Sequence, residues 1–251
     1  MKEKYTEVNS KTIDRWVEEG WVWGKPISID TFHKAQKGIW DVLLTPTKPM
    51  PHEWFPSSLE GLKVLGLASG GAQQMPIFAA LKAECSVLDF SKKQLESEIV
   101  FAKEAGYEIQ TLHFDMTNKL PFEDETFDII FHPVANCYVE EVEGIFKECY
   151  RILKRGGIFV GGFDNGFNYV TNDEITISNK LPYNPLKNEE QMQQALASDD
   201  GIQFSHTLEE QLGGQLKAGF ILTDIYEDTN GEGRLEDLRI PTFFATRSIK
   251  K

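Results

Sequence analysis

Apolar and polar positions alternate in blocks through the middle of the chain, and the period changes from block to block. Residues 63 to 68 (KVLGLA) are nearly all apolar, as a strand buried on both faces must be, and the small residues Ser69, Gly70, Gly71 and Ala72 follow as a turn. Ile77, Phe78, Leu81 and Ala83 continue a helical pattern, and a second apolar run, 85 to 88, stops on Asp89. Ser91 with Gln94 has the form of a capping box; it opens a helix with Leu95, Ile99 and Ala102 as its apolar stripe, ending near Gly106. Residues 108 to 114 predict a third strand running into Asp115, 117 to 126 a polar loop, and 127 to 131 (FDIIF) a central fourth strand. Val142, Ile145, Phe146, Cys149, Tyr150 and Leu153 predict a helix closing on Lys154, Arg155, Gly156 and Gly157, with 158 to 163 as strand five. Thr207 with Glu210 is a second capping box, followed by Leu208, Leu212 and Leu216 and stopped by Gly219. Residues 220 to 226 and 242 to 246, joined by the acidic turn 227 to 236, predict a final antiparallel pair.

Strand and helix alternate from 63 to 163 without hairpin turns, which predicts an α/β fold with a mostly parallel sheet and right-handed crossovers. Ligands of such sheets lie beyond the carboxyl ends of the strands. Residues 69 to 71, Asp89, Asp115 and 132 to 136 all fall at such ends, so four loops converge on one rim. Strand, small-residue turn, helix, strand and terminal carboxylate make half of a nucleotide-binding unit, and a carboxylate placed like Asp89 suits a ribose diol. An adenosine-containing ligand is expected. By itself the turn is a weak fingerprint, G-x-A-x-x-G through Gly66, Ala68 and Gly71, and is also compatible with a tight structural turn.

The flanks differ from this core. Residues 1 to 60 are rich in aromatics, with helices expected at 10 to 19 and 30 to 37 and a proline-rich connector at 45 to 58. They are read as an N-terminal helical cap and connector, and 61 to 251 as the ligand-binding domain. The polar stretch at about 164 to 206 holds one expected helix, 188 to 197, and is longer than a connection needs; it is read as a lid-like insertion. Whether the early tryptophans cover a sheet edge or line a ligand site is left open by the pattern.

Charge narrows the partners. Against 26 Lys and Arg stand 39 Asp and Glu, a formal charge of -13, which argues against nucleic acid, whose binding needs clustered cations. No apolar run is long enough to span a bilayer and the start lacks a signal-peptide core, so no membrane partner and a cytoplasmic location are expected. Cys85, Cys137 and Cys149 are far apart in apolar runs and read as buried thiols; no metal site is expected.

In the phrases VLGLASGGA, SVLDFSKKQLE, FDMTNKLPFEDETFDIIF and ECYRILKRGGIFV the chain resembles the class I S-adenosylmethionine-dependent methyltransferases, specifically the small-molecule group. These phrases cover roughly residues 60 to 165, and LKAGF and PTFFATR are similar to the family's closing elements. The resemblance implies a Rossmann-like, mostly parallel sheet of seven strands with the last antiparallel and helices on both faces. It also implies S-adenosyl-L-methionine as methyl donor. Carried over by position, Ala68, Ser69 and Gly70 would meet the methionine part and Asp89 the ribose. Phe90 would pack on the adenine, Asp115 and Met116 would border it, and His132 and Val134 would face the reacting methyl. Gly66 and Gln94 complete the donor-side candidates. Gly66, Ala68 and Ala72 stand where the family usually has an acid and two further glycines. Ala68 suits that place with a negative φ, and the missing acid removes a usual partner of the donor's amino group or its ordered water.

The resemblance implies in-line methyl transfer to a small-molecule acceptor by a monomer or homodimer, with alignment and exclusion of water as the main work. Trp16, Trp21 and Trp23, with Tyr5, are cap residues whose rings would favour a sulfonium. A general base is needed only if the acceptor must lose a proton; His132, Tyr138 and His33 are the candidates. His132, preceding Pro133, also fits a loop histidine held by backbone. Two other functions share parts of the pattern. A non-catalytic binding module would keep the fold with a degraded first motif. An NAD-dependent oxidoreductase would share the opening half but give no reason for Asp115 or the closing antiparallel pair.

Overall fold

The first apolar block is β1 (Lys63–Leu67), and its side chains alternate between two core layers, Val64 into one and Leu65 into the other. The computed structural model describes residues 4 to 251; the first three residues of the expected N-terminal cap lie outside the described residues. The further strands are β2 (Glu84–Asp89), β3 (Gln110–His113), β4 (Phe127–His132), β5 (Leu153–Asp164), β6 (Phe220–Asp228) and β7 (Phe243–Lys250). They form one sheet in the order β3-β2-β1-β4-β5-β7-β6. The first five are parallel, and β7 runs antiparallel to both β5 and β6. After β3 the chain returns to the other side of β1 to add β4, so the order reverses there and leaves a crevice at the strand ends.

β4 shows why the sheet is covered on both sides. Ile129 and Phe131 enter the layer beneath α2 (Ile29–Gln36), α3 (Met75–Ala80) and α4 (Lys92–Ala105), while Ile130 enters the layer beneath α5 (Glu143–Ile152) and α7 (Gly214–Ala218). The proline-rich connector straps across the first face. A side chain on Gly162 would come within 2.0 Å of the Leu44 carbonyl oxygen, so glycine lets the connector cross β5 in backbone contact. Trp54 then donates from its indole to Asp224 Oδ2 at 2.9 Å.

Several elements differ from the sequence reading, each for a tertiary reason. α1 (Tyr5–Glu18) starts five residues before Ser10, whose hydroxyl donates at 2.5 Å to the Phe90 carbonyl instead of capping a helix. Ser91 caps α4, accepting from Gln94 N at 3.1 Å, but the return half of the box is absent: Ser91 N donates to Asp89 Oδ1 and the Gln94 amide turns to Trp23 O. The Thr207–Glu210 box is complete. β5 begins at Leu153, where the lysine and glycines were expected to end a helix, because Leu153 already pairs with Phe127 across a shifted register. In α4 Ile99 is 51% exposed and Glu98 is buried in its place. Beyond Thr207 only Leu212 of the leucine stripe packs on the core; Leu208 and Leu216 face outward, and Gln211 and Gln215 are buried. The 227 to 236 turn contains the start of α8 (Gly233–Asp237).

Candidate active site

The turn after β1 has left-handed backbone at two alanines, with φ of 49° at Ala68 and 55° at Ala72. This corrects the negative φ expected of Ala68. A Cβ there costs about 1–2 kcal/mol, so surrounding contacts must hold the turn in place. They are explicit. Ala68 N donates to Leu88 O at 2.7 Å, Gly70 N to Asp89 Oδ2 at 3.0 Å, Gly71 N to Gln94 O at 3.0 Å and Ala72 N to Glu98 Oε1 at 2.7 Å. Amides used inside the protein do not cradle a pyrophosphate, which separates this turn from a dinucleotide site. A side chain on Gly70 would lie 2.6 Å from Gln94 Cβ, so glycine is needed where α4 closes on the turn. Gly66 has a different role from the one expected: its missing Cβ makes room for Met75 Sδ, 2.8 Å from where it would stand, and it lies off the cavity wall.

β2 brings Asp89 to the rim, 8% exposed. Oδ1 accepts from Ser91 N at 2.8 Å and Oδ2 from Gly70 N at 3.0 Å, and burial raises the carboxyl's pKa against these donors. Each oxygen keeps a second lone-pair direction, which is what a pair of vicinal hydroxyls requires. Phe90 is stacked on His113 with ring centroids 5.3 Å apart and planes 11° apart. Asp115 Oδ1 accepts from Thr117 N and its hydroxyl, closing the turn after β3. Gln94 Oε1 is buried with no partner among the described groups. Apart from Gly66 and His132, every donor-side candidate lines one cavity of about 870 Å³ at the rim.

His132 is fully buried and off this cavity. Nδ1 lies 2.9 Å from Leu67 O and Nε2 2.8 Å from the Asn136 side-chain amide, which continues through Gln211 to Gln215, Thr246 and Ser248. Burial lowers its pKa while the two hydrogen bonds oppose that shift, and with both nitrogens engaged inside the protein the ring is placed as a structural group away from the cavity. His33 is also corrected: it is exposed on α2, paired with Gln36 and away from the cavity. Tyr138 does line the cavity, but burial raises its phenol well above the ordinary value, so it stays protonated.

Two segments beyond the sheet close the cavity. Asn9 of α1 donates to Tyr138 O at 3.1 Å and Ile202 O at 2.9 Å and accepts from Ile202 N at 2.7 Å, joining α1, the loop after β4 and the end of the 164 to 206 stretch. That stretch carries α6 (Glu189–Ser198), whose Ala195 packs with Ile202, Phe204, Tyr5 and Val8. Trp21 and Trp23 line the cavity; Trp16 does not, and instead packs on Trp21 at 5.2 Å and Tyr138 at 6.5 Å. Asp164, at the end of β5, is a cavity residue that the sequence did not single out; it is 8% exposed.

Comparison with known proteins decides what this rim belongs to. The chain is 40% identical to the "Uncharacterized methyltransferase YbaJ" of Bacillus subtilis over 250 residues, covering 96% of this chain and 97% of that one. A family model described as "Methyltransferase domain" matches residues 65 to 161. The chain is a class I S-adenosylmethionine-dependent methyltransferase. Its fold is similar to that of an S-adenosylmethionine-dependent methyltransferase from Mesorhizobium loti, with TM-score 0.61 and 18% identity, over 79% of this chain and 94% of that one. It is also similar to the [4+2]-cyclase SpnF, with TM-score 0.53 and 15% identity, over 76% of each chain. Fold by itself therefore does not fix the reaction, and the family rests on the full-length relative. Neither the oxidoreductase nor the non-catalytic module finds support. Among the described residues of the methyltransferase, no cluster of three or more His, Cys, Asp or Glu is placed for a metal, and no helix is long and apolar enough to cross a membrane.

The cavity residues fit the donor. A buried carboxylate with free lone pairs suits a diol, the flat ring of Phe90 suits a purine, and a turn with its amides turned inward suits the cationic end of the donor better than an anion.

Proposed function

We propose that the methyltransferase holds its donor with the ribose on Asp89 and the adenine between Phe90, Asp115 and Met116. The methionine part runs along residues 68 to 70 toward Val134, and Gln94 contributes its unpartnered oxygen. The acceptor is a small molecule, admitted beneath a cover made of α1, Trp21, Trp23 and the 164 to 206 stretch acting as a lid. The observation that carries this reading is the convergence of Asp89, Asp115 and the 68 to 70 turn on one cavity.

The donor supplies an electrophilic methyl group on a sulfonium. The chain's own residues align the two partners, exclude water and surround the positive charge with carboxylates and aromatic faces. No histidine on the wall stands ready as a base, which leaves positioning as the main contribution. Isothermal titration with S-adenosylhomocysteine is expected to give binding in the micromolar range for the native protein. Asp89→Ala is expected to weaken it about 10- to 100-fold, the usual loss for hydrogen bonds to a charged group. Unchanged affinity in a folded Asp89→Ala protein would remove the sugar from that carboxylate.

A further inference from the structure

With the donor over β1 to β4, the part of the cavity at the end of β5 is left for the acceptor, and its wall has a definite chemistry. Among the described residues, the charged side chains lining the cavity are Asp89, Asp115, Asp164 and Asp200, and no Lys, Arg or His lines it. Asp164 Oδ1 accepts from Gly166 N at 2.5 Å and Oδ2 from Asn168 Nδ2 at 2.7 Å. Those two bonds fix the carboxylate and leave a lone-pair direction on each oxygen. Tyr138 and Tyr169 also line the cavity, and burial keeps both phenols protonated. An anionic acceptor would enter here without a counter-charge, whereas a group that gains positive charge during transfer would find one.

Resting on the donor placement above, we propose that the acceptor is a small, uncharged amine whose nitrogen is held at Asp164. The nitrogen lone pair makes the new N–C bond, the C–S bonding pair remains on sulfur, and the positive charge passes from sulfur to nitrogen. The N–H proton stays on the resulting ammonium until product reaches water, so transfer itself needs no base. A carboxylate beside that nitrogen interacts more strongly as the charge arrives than before, which lowers the barrier rather than tightening substrate binding alone. Burial pushes the Asp164 carboxyl up to about 6, so it is ionised at neutral pH and above.

The test uses the full chain saturated with S-adenosylhomocysteine at pH 8 and measures thermal shifts with matched small amines, phenols and carboxylates at millimolar concentration. The same panel is then offered with the methyl donor, and products are read by mass spectrometry. Amines are expected to raise the melting temperature and to be the compounds methylated. Asp164→Asn is expected to abolish the amine shift and lower kcat/KM for amines about 100-fold, with its affinity for S-adenosylhomocysteine within twofold of native as the check that the site is folded. Preference for carboxylates or phenols, or no amine shift in a protein that binds S-adenosylhomocysteine, would overturn the amine assignment while leaving the donor site standing. Absence of S-adenosylhomocysteine binding would instead overturn the donor placement, and the amine assignment with it.

Discussion

Glu98 shows how much a single residue can depend on contacts remote in sequence. It is fully buried in α4, accepts from Ala72 N through Oε1, leaves Oε2 without a partner, and is pushed by burial up to about 8 from an ordinary 4.5. Because the folded value is the higher one, folding takes up a proton between these limits. The stabilisation is therefore complete below pH 4.5 and is lost as pH rises through about 8. Glu98→Gln keeps the shape and removes the titration. It is expected to flatten the fall in stability between pH 6 and pH 9 and to exceed the native protein at pH 9 by on the order of 1–3 kcal/mol in urea unfolding. An unchanged pH slope would contradict this assignment. Nothing in the helical pattern marked Glu98 as interior, since a charged residue within a stripe reads as solvated. Asp89 and Asp115 were legible because a carboxylate that ends a strand has a place in the topology. For His132 the pattern left two readings open, and the Leu67 carbonyl and Asn136 that decide between them are visible only in the fold.

Among the elements, the parallel strands were legible because burial on both faces writes a continuous apolar run. The helix after Thr207 was legible only in part: Leu212 packs against the core, but Gln211 and Gln215 are buried, tied in by Asn136, Thr246 and Ser248 from distant segments, while Leu208 and Leu216 face out. The length of β5 was hidden for a similar reason, since its first pairing is with Phe127 and owes nothing to local pattern. α1 buries Thr6 and Asn9, so no apolar stripe announced its contact with the 164 to 206 stretch. Asn9→Ala removes the three bonds that join these segments. It is expected to cost about 1–3 kcal/mol and to raise hydrogen exchange in 164 to 206 selectively, leaving the strands protected. Uniform exchange across the sheet, or none, would mean that Asn9 does not fasten the cover.

At the scale of the molecule, the alternation of strand and helix predicted which loops meet, and the sheet order places them around one crevice between β1 and β4. The meeting of Asp89, Asp115 and the 68 to 70 turn at one cavity was legible for that reason. Asp164 and Asn9 were not legible as cavity residues, because they reach it through tertiary contacts, and polar sequence outside the strands has no period to read. The most direct measurement is a crystal structure of the chain grown with S-adenosylhomocysteine. The expected result is the ribose hydroxyls within hydrogen-bond distance of the Asp89 carboxylate, with the sulfur directed toward the end of β5. A sugar bound elsewhere, or a ligand outside the rim cavity, would contradict it.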